Sequence, residues 1–342
     1  MRLVAASVLI ALTGCGSSRA APPSTPEPPA AAAAPEVDVV GVYRAWVEAA
    51  NAGSWPEVIA AFSEDATLIP ASSGMELAGA ANIGEFFKSF SVGFPDLRTT
   101  PIMILTRPGH VTAISIATGT NSAAVGPFEA TGHAMSFIGL TEIAFDASGK
   151  MTRVIAYADN LNFMGQMGQW KGSSREPVSP PSDPLIIVRQ GSEAGEPARL
   201  ARVASLVEAF NRHDAPALLQ LYLPDAVLDD QHLPGPIITA HQIGTHYSDL
   251  FPAFPDIAMA DVQSWAAGDY VVLTYTLRGT HAGAYARLPG TPSYRQLELQ
   301  GAALLRLRGE QIAEHLVFVD GMAMGFQLGL LAMPGAEPPP AP

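Results

Sequence analysis

The side chains best placed to move a proton are Asp320, His281 and His246. Asp320 follows the apolar run Leu316-Val317-Phe318-Val319, so a strand ending there would set a carboxyl against a dry wall. Desolvation disfavours the carboxylate, raises its pKa and readies it for general acid–base chemistry. The residue has a second reading as a helix N-cap, because the apolar stretch 322–331 begins just after it. His281 ends a strand in Gly279-Thr280-His281, where it would polarise a carbonyl, hold a hydroxyl or simply close a turn. His246 shares a helical face with Ile243, Tyr247 and Leu250 and so points inward, as a hydrogen-bonded core residue or beside Tyr247 in a pocket. Strand alternation puts His315 and Asp320 on opposite faces unless a bulge intervenes. His232 and His241 lack ligand spacing and cysteine partners, so no metal site is expected.

These residues sit in a frame that occurs twice. Asn51 and Asn211, Phe94-Pro95-Asp96 and Phe254-Pro255-Asp256, and Asn121 and His281 are each 160 positions apart. Asp159 and Asp320 are 161 apart, as are Gln166 and Gln327, which places a one-residue insertion at the Gly149/Gly309 turn. A fixed offset over half a chain marks an internal duplication. The first copy differs where the chemistry would lie: Asn121 replaces His281, and Phe86 replaces His246. An amide cannot shuttle protons, so the first copy is expected to bind or support, through Asp159, Asn121 and the separately placed His133. A changed chemistry centred on Asp159 stays open.

The elements that must position these groups follow from periodicity. Val39, Tyr43, Trp46, Val47 and Ala50 give a first helix ending near Gly53. Ser54 to Glu57 reads as a capping box for a second helix reaching about Ser63, and 78–90 is a third. Four strands are expected over 99–106, 111–119, 133–145 and 151–159, and the second copy repeats the order. Helices followed by an antiparallel meander give an α+β fold with a cavity between sheet and helices. Between the copies lies a linker rich in Pro, Ser, Gly and Glu, interrupted by Leu185-Ile186-Ile187-Val188, which would add an edge strand or dock on a domain.

Composition narrows the function classes. A net charge of −13 leaves no basic stripe to neutralise phosphates, so no nucleic-acid partner is expected. The sequence has no Gly-x-Ser-x-Gly elbow, P-loop or dinucleotide fingerprint, and no cofactor is implied. At the N-terminus, Arg2 precedes an apolar run from Leu3 to Leu12. The following Leu12-Thr13-Gly14-Cys15 resembles the lipobox of bacterial lipoproteins. That resemblance implies cleavage before Cys15, the only cysteine, and lipidation of its thiol and new amino group. The expected location is the cell envelope, on the outer membrane where the host has two. A Pro/Ala-rich tether would then hold the domains off the bilayer.

The helix-terminal Asn, Phe-Pro-Asp, Gly-Thr-His, and Asp followed by Gln-Leu-Gly together resemble the SnoaL-like polyketide cyclases of the nuclear-transport-factor-two-like superfamily. The resemblance implies two tandem cone-shaped α+β barrels, each with three N-terminal helices packed on a curved, mainly antiparallel sheet. The domain plan is then a signal peptide (1–14), tether (15–36), first domain (37–169), linker (170–197), second domain (198–332) and tail (333–342). The matching aspartate of the cyclases is the acid/base of an intramolecular aldol closure, which implies that role for Asp320. The expectation is cofactor-independent proton transfer on a small apolar carbonyl compound in the second domain, or else non-catalytic binding of a hydrophobic ligand or partner. Superfamily members pair through their sheets, which implies either pairing of the two copies within the chain or a homodimer.

Overall fold

The computed structural model describes residues 37–331, except 72, 127, 171–173, 286–287 and 289–290. The expected signal peptide, tether, Cys15 and tail lie outside the described residues. No described helix is long and apolar enough to cross a membrane.

In the first half, α1 (Val39–Ala52), α2 (Trp55–Ala60) and α3 (Ala80–Gly93) pack on one face of a sheet. The sheet contains β1 (Phe62–Pro70), β2 (Leu77–Ala78), β3 (Arg98–Arg107), β4 (His110–Thr120), β5 (Ala134–Phe145) and β6 (Met151–Tyr157), and α4 (Asn160–Gln166) closes the half. A short strand from the linker, β7 (Ile186–Arg189), then adds to it parallel to β3. The second half repeats the plan with α5 (Glu196–Asn211), α6 (Ala215–Leu221), β8 (Tyr222–Asp230), β9 (Ile237–Ile238) and α7 (Ala240–Ala253). It continues through β10 (Ala258–Ala267), β11 (Tyr270–Thr280), β12 (Gln296–Arg308), β13 (Gln311–Phe318) and α8 (Gly321–Gln327). The sheet orders are β2-β1-β6-β5-β4-β3-β7 and β10-β11-β12-β13-β8-β9. Pairing is antiparallel except between β1 and β6, β8 and β13, and β3 and β7. Both halves are therefore mixed α+β domains with helices packed on a sheet.

Three local expectations need correction. Ser54 is the N-cap of α2 but makes no side-chain capping bond, so there is no capping box; Pro56 near the helix start already removes one donor that would need capping. The segment after α2 turns directly into β1, a strand whose Ser63-Glu64-Asp65 near the start masks its alternation in the sequence. The repeat offset does not change by a single insertion. Ser115 pairs with Gly139 and the equivalent Tyr275 with Gly301, so the β11–β12 loop is two residues longer than its counterpart. The tighter β12–β13 turn then removes one residue and leaves the offset at 161.

The outer faces of the two sheets share a core. Leu105, Ile114, Leu140 and Tyr157 of the first domain pack with Trp265, Val272, Leu304 and Phe318 of the second. The Arg107 guanidinium lies 5.4 Å from the Trp265 ring centre. Arg175 in the linker fastens the halves together: its backbone N–H donates to Asn162 Oδ1 (2.8 Å), and its guanidinium donates to Asp229 Oδ1 (2.7 Å) and the Leu233 carbonyl (2.7 Å).

The recurring motif residues hold the fold. Asn51 makes a two-bond amide clamp on Thr99, accepting from its N–H (2.8 Å) and donating to its carbonyl (2.9 Å). Asn211 does the same to Met259, at 2.8 and 3.0 Å. The Asp96 carboxylate accepts from the N–H and hydroxyl of Thr120 (2.7 and 2.8 Å), and Asp256 accepts from Thr280 likewise (2.6 and 2.7 Å). Gln166 Oε1 takes the Ser136 N–H and Gln327 Oε1 takes that of Glu298, both at 2.7 Å. Replacing Asn211 by Ala strands a part-buried N–H and C=O on Met259. Urea denaturation should show a loss of about 1–3 kcal/mol.

Candidate functional site

The principal cavity lies in the first domain, between α1, α3 and the inner face of the sheet, and has a volume of about 490 Å³. Its wall is aromatic: Trp46, Trp55, Phe86, Phe87, Phe90, Phe94, Phe137 and Phe163 all line it. Few polar groups reach it, chiefly Asn51, Ser115, Thr141, Asp159 and Asn160. Ser115 is tied to the Tyr43 hydroxyl at 3.0 Å, and burial pushes that phenol up to about 12. The corresponding pocket of the second domain is about 70 Å³.

The strand registers explain the difference. Ser115 and Ala117 on β4 correspond to Tyr275 and Leu277 on β11, and Ala156 and Ala158 correspond to Val317 and Val319. Small residues leave the first cone open, and larger ones fill the second. The histidines distinguish the copies in sequence but do not mark the cavity. Comparing side-chain volumes at equivalent strand positions was the available signal for the cavity.

Asp159 lines the first cavity and is nearly fully buried. Its Oδ2 accepts the Asn162 N–H (2.8 Å) and caps α4, while its Oδ1 accepts the Gly321 N–H of the second domain (2.7 Å). Asp320 mirrors it. Its Oδ1 accepts from Met322 N–H of α8 (2.9 Å) and Asn160 N–H of the first domain (3.0 Å), and its Oδ2 from Asn160 Nδ2 (2.7 Å). Burial, and then the charge of Asp320, push the Asp159 carboxyl up to about 6 against the pull of its two amide donors and His232. A buried carboxyl near pH 6 can give or take a proton at physiological pH.

The residues expected from sequence are thereby divided. Asp320 is the cap and junction residue just described and does not line the second-domain pocket. His281 is also outside that pocket: it is buried in the β11–β12 loop, stacked on Phe254, with Nδ1 accepting the Ser293 N–H at 3.1 Å. Burial holds its pKa below the usual imidazole range. Asn121 performs the same loop-closing task in the first domain, accepting from Thr131 N–H and donating to the Ala123 carbonyl (both 2.9 Å). His133 is exposed, with Nδ1 3.2 Å from the Gln166 carbonyl, and does not line the first cavity. His246 and Tyr247 do face the second pocket together. The acid–base set expected in the second domain is therefore not assembled, because its strand-end members Asp320 and His281 are used to hold loop, helix and junction.

Around His246 and Tyr247 the second pocket also gathers Asp230, His232, Tyr285 and His315, which were not among the expected site residues. Asp230 Oδ1 lies 2.7 Å from His232 Nδ1, and Tyr222 joins His315 Nδ1 (2.7 Å) to the Tyr247 hydroxyl (3.3 Å). The Tyr285 hydroxyl is 3.4 Å from His246 Nδ1. Burial alone would raise Asp230, but the charges of His232 and His246 and the bond to His232 outweigh it and hold the carboxyl below its ordinary range. Burial lowers His315 to about 4 and pushes Tyr247 up to about 12.

Family models match both halves of the chain. The family model of the SnoaL-like polyketide cyclases matches residues 40–167, and that of the SnoaL-like domain matches 203–315. The chain carries two SnoaL-like domains in tandem. Solved structures similar to it include a candidate polyketide cyclase from Xanthomonas campestris pv. campestris, at 20% identity and a TM-score of 0.37 over 40% of this chain and 99% of that one. A candidate SnoaL-like polyketide cyclase from Jannaschia sp. CCS1 gives 20% identity and a TM-score of 0.38 over 42% of this chain and 99% of that one. IdmH, a candidate polyketide cyclase from Streptomyces antibioticus, gives 31% identity and a TM-score of 0.33 over 38% and 98%. No curated protein matches the chain.

The position of Asp159 has a signed consequence for stability. Its folded pKa of about 6 lies above the ordinary 3.8, so the folded chain holds this proton more tightly than the unfolded chain does. That stabilisation is complete below about pH 4 and is lost as the pH rises through about 6. His315, depressed by burial, slopes the other way, but its effect is common to the wild type and an Asp159→Asn variant. The difference in unfolding free energy, wild type minus variant, should therefore fall by up to about 3 kcal/mol between pH 4 and pH 7. Urea titrations at both pH values measure it.

Proposed function

We propose that the first domain binds a small apolar molecule in its aromatic cavity and exchanges a proton with it through Asp159. The observation that carries this reading is one continuous cavity of about 490 Å³ that reaches a buried carboxyl whose pKa lies near 6. The volume and the aromatic wall suit a ligand of two or three fused rings, and Asp159 and Asn160 at one end suit a carbonyl or enol oxygen. The reaction class is cofactor-independent cyclisation or isomerisation. The Asp159 carboxylate takes a proton from carbon next to the carbonyl; in isomerisation it returns that proton to the enolate at another carbon, and in cyclisation the enolate carbon attacks a second carbonyl and the proton goes to the alkoxide so formed. Binding without turnover is a second reading, favoured by the commitment of both Asp159 oxygens to amide donors.

A lipid anchor at Cys15 belongs to the same proposal and is supported by Leu12-Thr13-Gly14-Cys15 and the absence of other cysteines from the sequence. A Cys15→Ser variant expressed in a bacterial host should move from the membrane fraction to the soluble one.

Trp46 and Trp55 line the cavity and report its occupancy by fluorescence. Titration with 2-acetylnaphthalene, an apolar aryl ketone, should quench them, and Ala117→Phe, which fills the cavity, should weaken binding at least about 10-fold. In deuterium oxide, wild-type protein should speed exchange of the ketone methyl protons, and Asp159→Asn should bind equally but not exchange. Binding with no exchange in the wild type would select the second reading, and absence of binding would reject both.

A further inference from the structure

The first-domain site is not built by the first domain alone. Gly321, which follows Asp320, sits where groups from both halves converge. A methyl group placed on Gly321 would lie 3.1 Å from Asp159 Oδ1 and 3.3 Å from His232 Cβ. His232 belongs to the turn between β8 and β9 of the second domain. Its side chain is only 17% exposed, and its ring is fixed by the 2.7 Å contact between Nδ1 and Asp230 Oδ1. Asp230 also takes the His232 backbone N–H, at 3.3 Å. An aspartate of one domain thus faces an aspartate–histidine pair of the other.

We propose that His232 is a positioning residue for Asp159, a cationic partner held by Asp230 that stabilises the Asp159 carboxylate across the domain junction. The proposal rests on the reading of Asp159 as the reactive group of the first cavity, and it assigns the second domain a part in that site. The other charged groups around Asp159 are Asp320 at the start of α8, and Arg175 and Glu176 of the linker, which share a small cleft with it. Asp320 opposes ionisation of Asp159, and His232 favours it. When His232 is protonated, the Asp159 anion has a cation near it across the domain junction. It can then release its proton at a lower pH than burial beside Asp320 would allow. The arrangement lets a carboxyl remain dry yet usable as a base.

The test is a carbon-13 NMR titration of aspartate-labelled full-length protein without ligand, with the Asp159 resonance assigned by its loss in Asp159→Asn. His232→Phe should move the Asp159 midpoint upward by about one pH unit, and Asp320→Asn should move it downward. His232→Gln, which removes the cation but keeps a polar side chain, should likewise shift the midpoint upward. It serves as the measurement if His232→Phe loses its near-ultraviolet circular dichroism. An Asp159 midpoint within about 0.2 pH units of wild type in a folded His232→Phe, or in His232→Gln in its place, overturns the proposal. The midpoint is read without ligand, so failure of the His232 coupling and failure of ligand binding are separate results. If the coupling holds, the acid limb of ketone exchange should follow the same shifts, which a purely structural histidine would not produce.

Discussion

The structure depends on an exchange of caps. Each of the two short helices that close the domains begins at an aspartate, and each aspartate accepts an N–H from its own helix and another from the opposite domain. Helix N-termini carry unpaired donors and partial positive charge, so a carboxylate there satisfies the donors and is stabilised by them. Here a carboxylate serves two helices, and burial between the sheets makes the bonds costly to break. The constraint has a second side: it brings two like charges close together in a dry place. One of them answers by holding its proton near pH 6.

The consequence for the cones is asymmetric. The clamps on Thr99 and Met259, and those on Thr120 and Thr280, are equivalent in the two domains, so the frames agree. What fills the frames does not. Strand positions occupied by Ser and Ala in the first copy carry Tyr, Leu and Val in the second. Beside that filled pocket the polar atoms of Tyr222, Tyr247 and His315 are buried together and satisfy one another. The second domain gains a well-bonded interior and gives up room for a ring system. The first keeps the room and borrows donors from its neighbour.

Much of the fold was legible because it is written in periodicity. The Val39–Ala50 face and the four long strands of each copy appear where spacing and residue type place them. β1 was not legible, since Ser63-Glu64-Asp65 interrupts its alternation and its parallel partner β6 lies far along the chain. The site was legible only in fragments. Asp320 and His281 carry suitable chemistry, but a residue list does not reveal that an Asp is committed to two helices or that an imidazole nitrogen already accepts an amide. Asp159 differs from Asp320 chiefly in what surrounds it, namely an open cavity left by Ala117 and Ala156, and this depends on contacts between strands and between domains. Ligand spacing gives no signal for the Asp230–His232 pair, which forms across a turn and lies near Asp159 only through the fold.

The shared core between the outer sheet faces has a consequence of scale. A pair of separate subunits meeting through Leu105, Ile114, Trp265 and Phe318 would come apart on dilution and would have to be identical at both ends of a symmetry axis. Joined by a linker that runs as a strand along β3, the two faces meet at a fixed, high effective concentration, whatever the amount of protein in the compartment. Covalent joining also removes the requirement for identity. A substitution in one half is no longer copied into the other, so one cone is free to stay hollow while its twin becomes solid. The duplicated chain is in this sense a dimer released from its own symmetry.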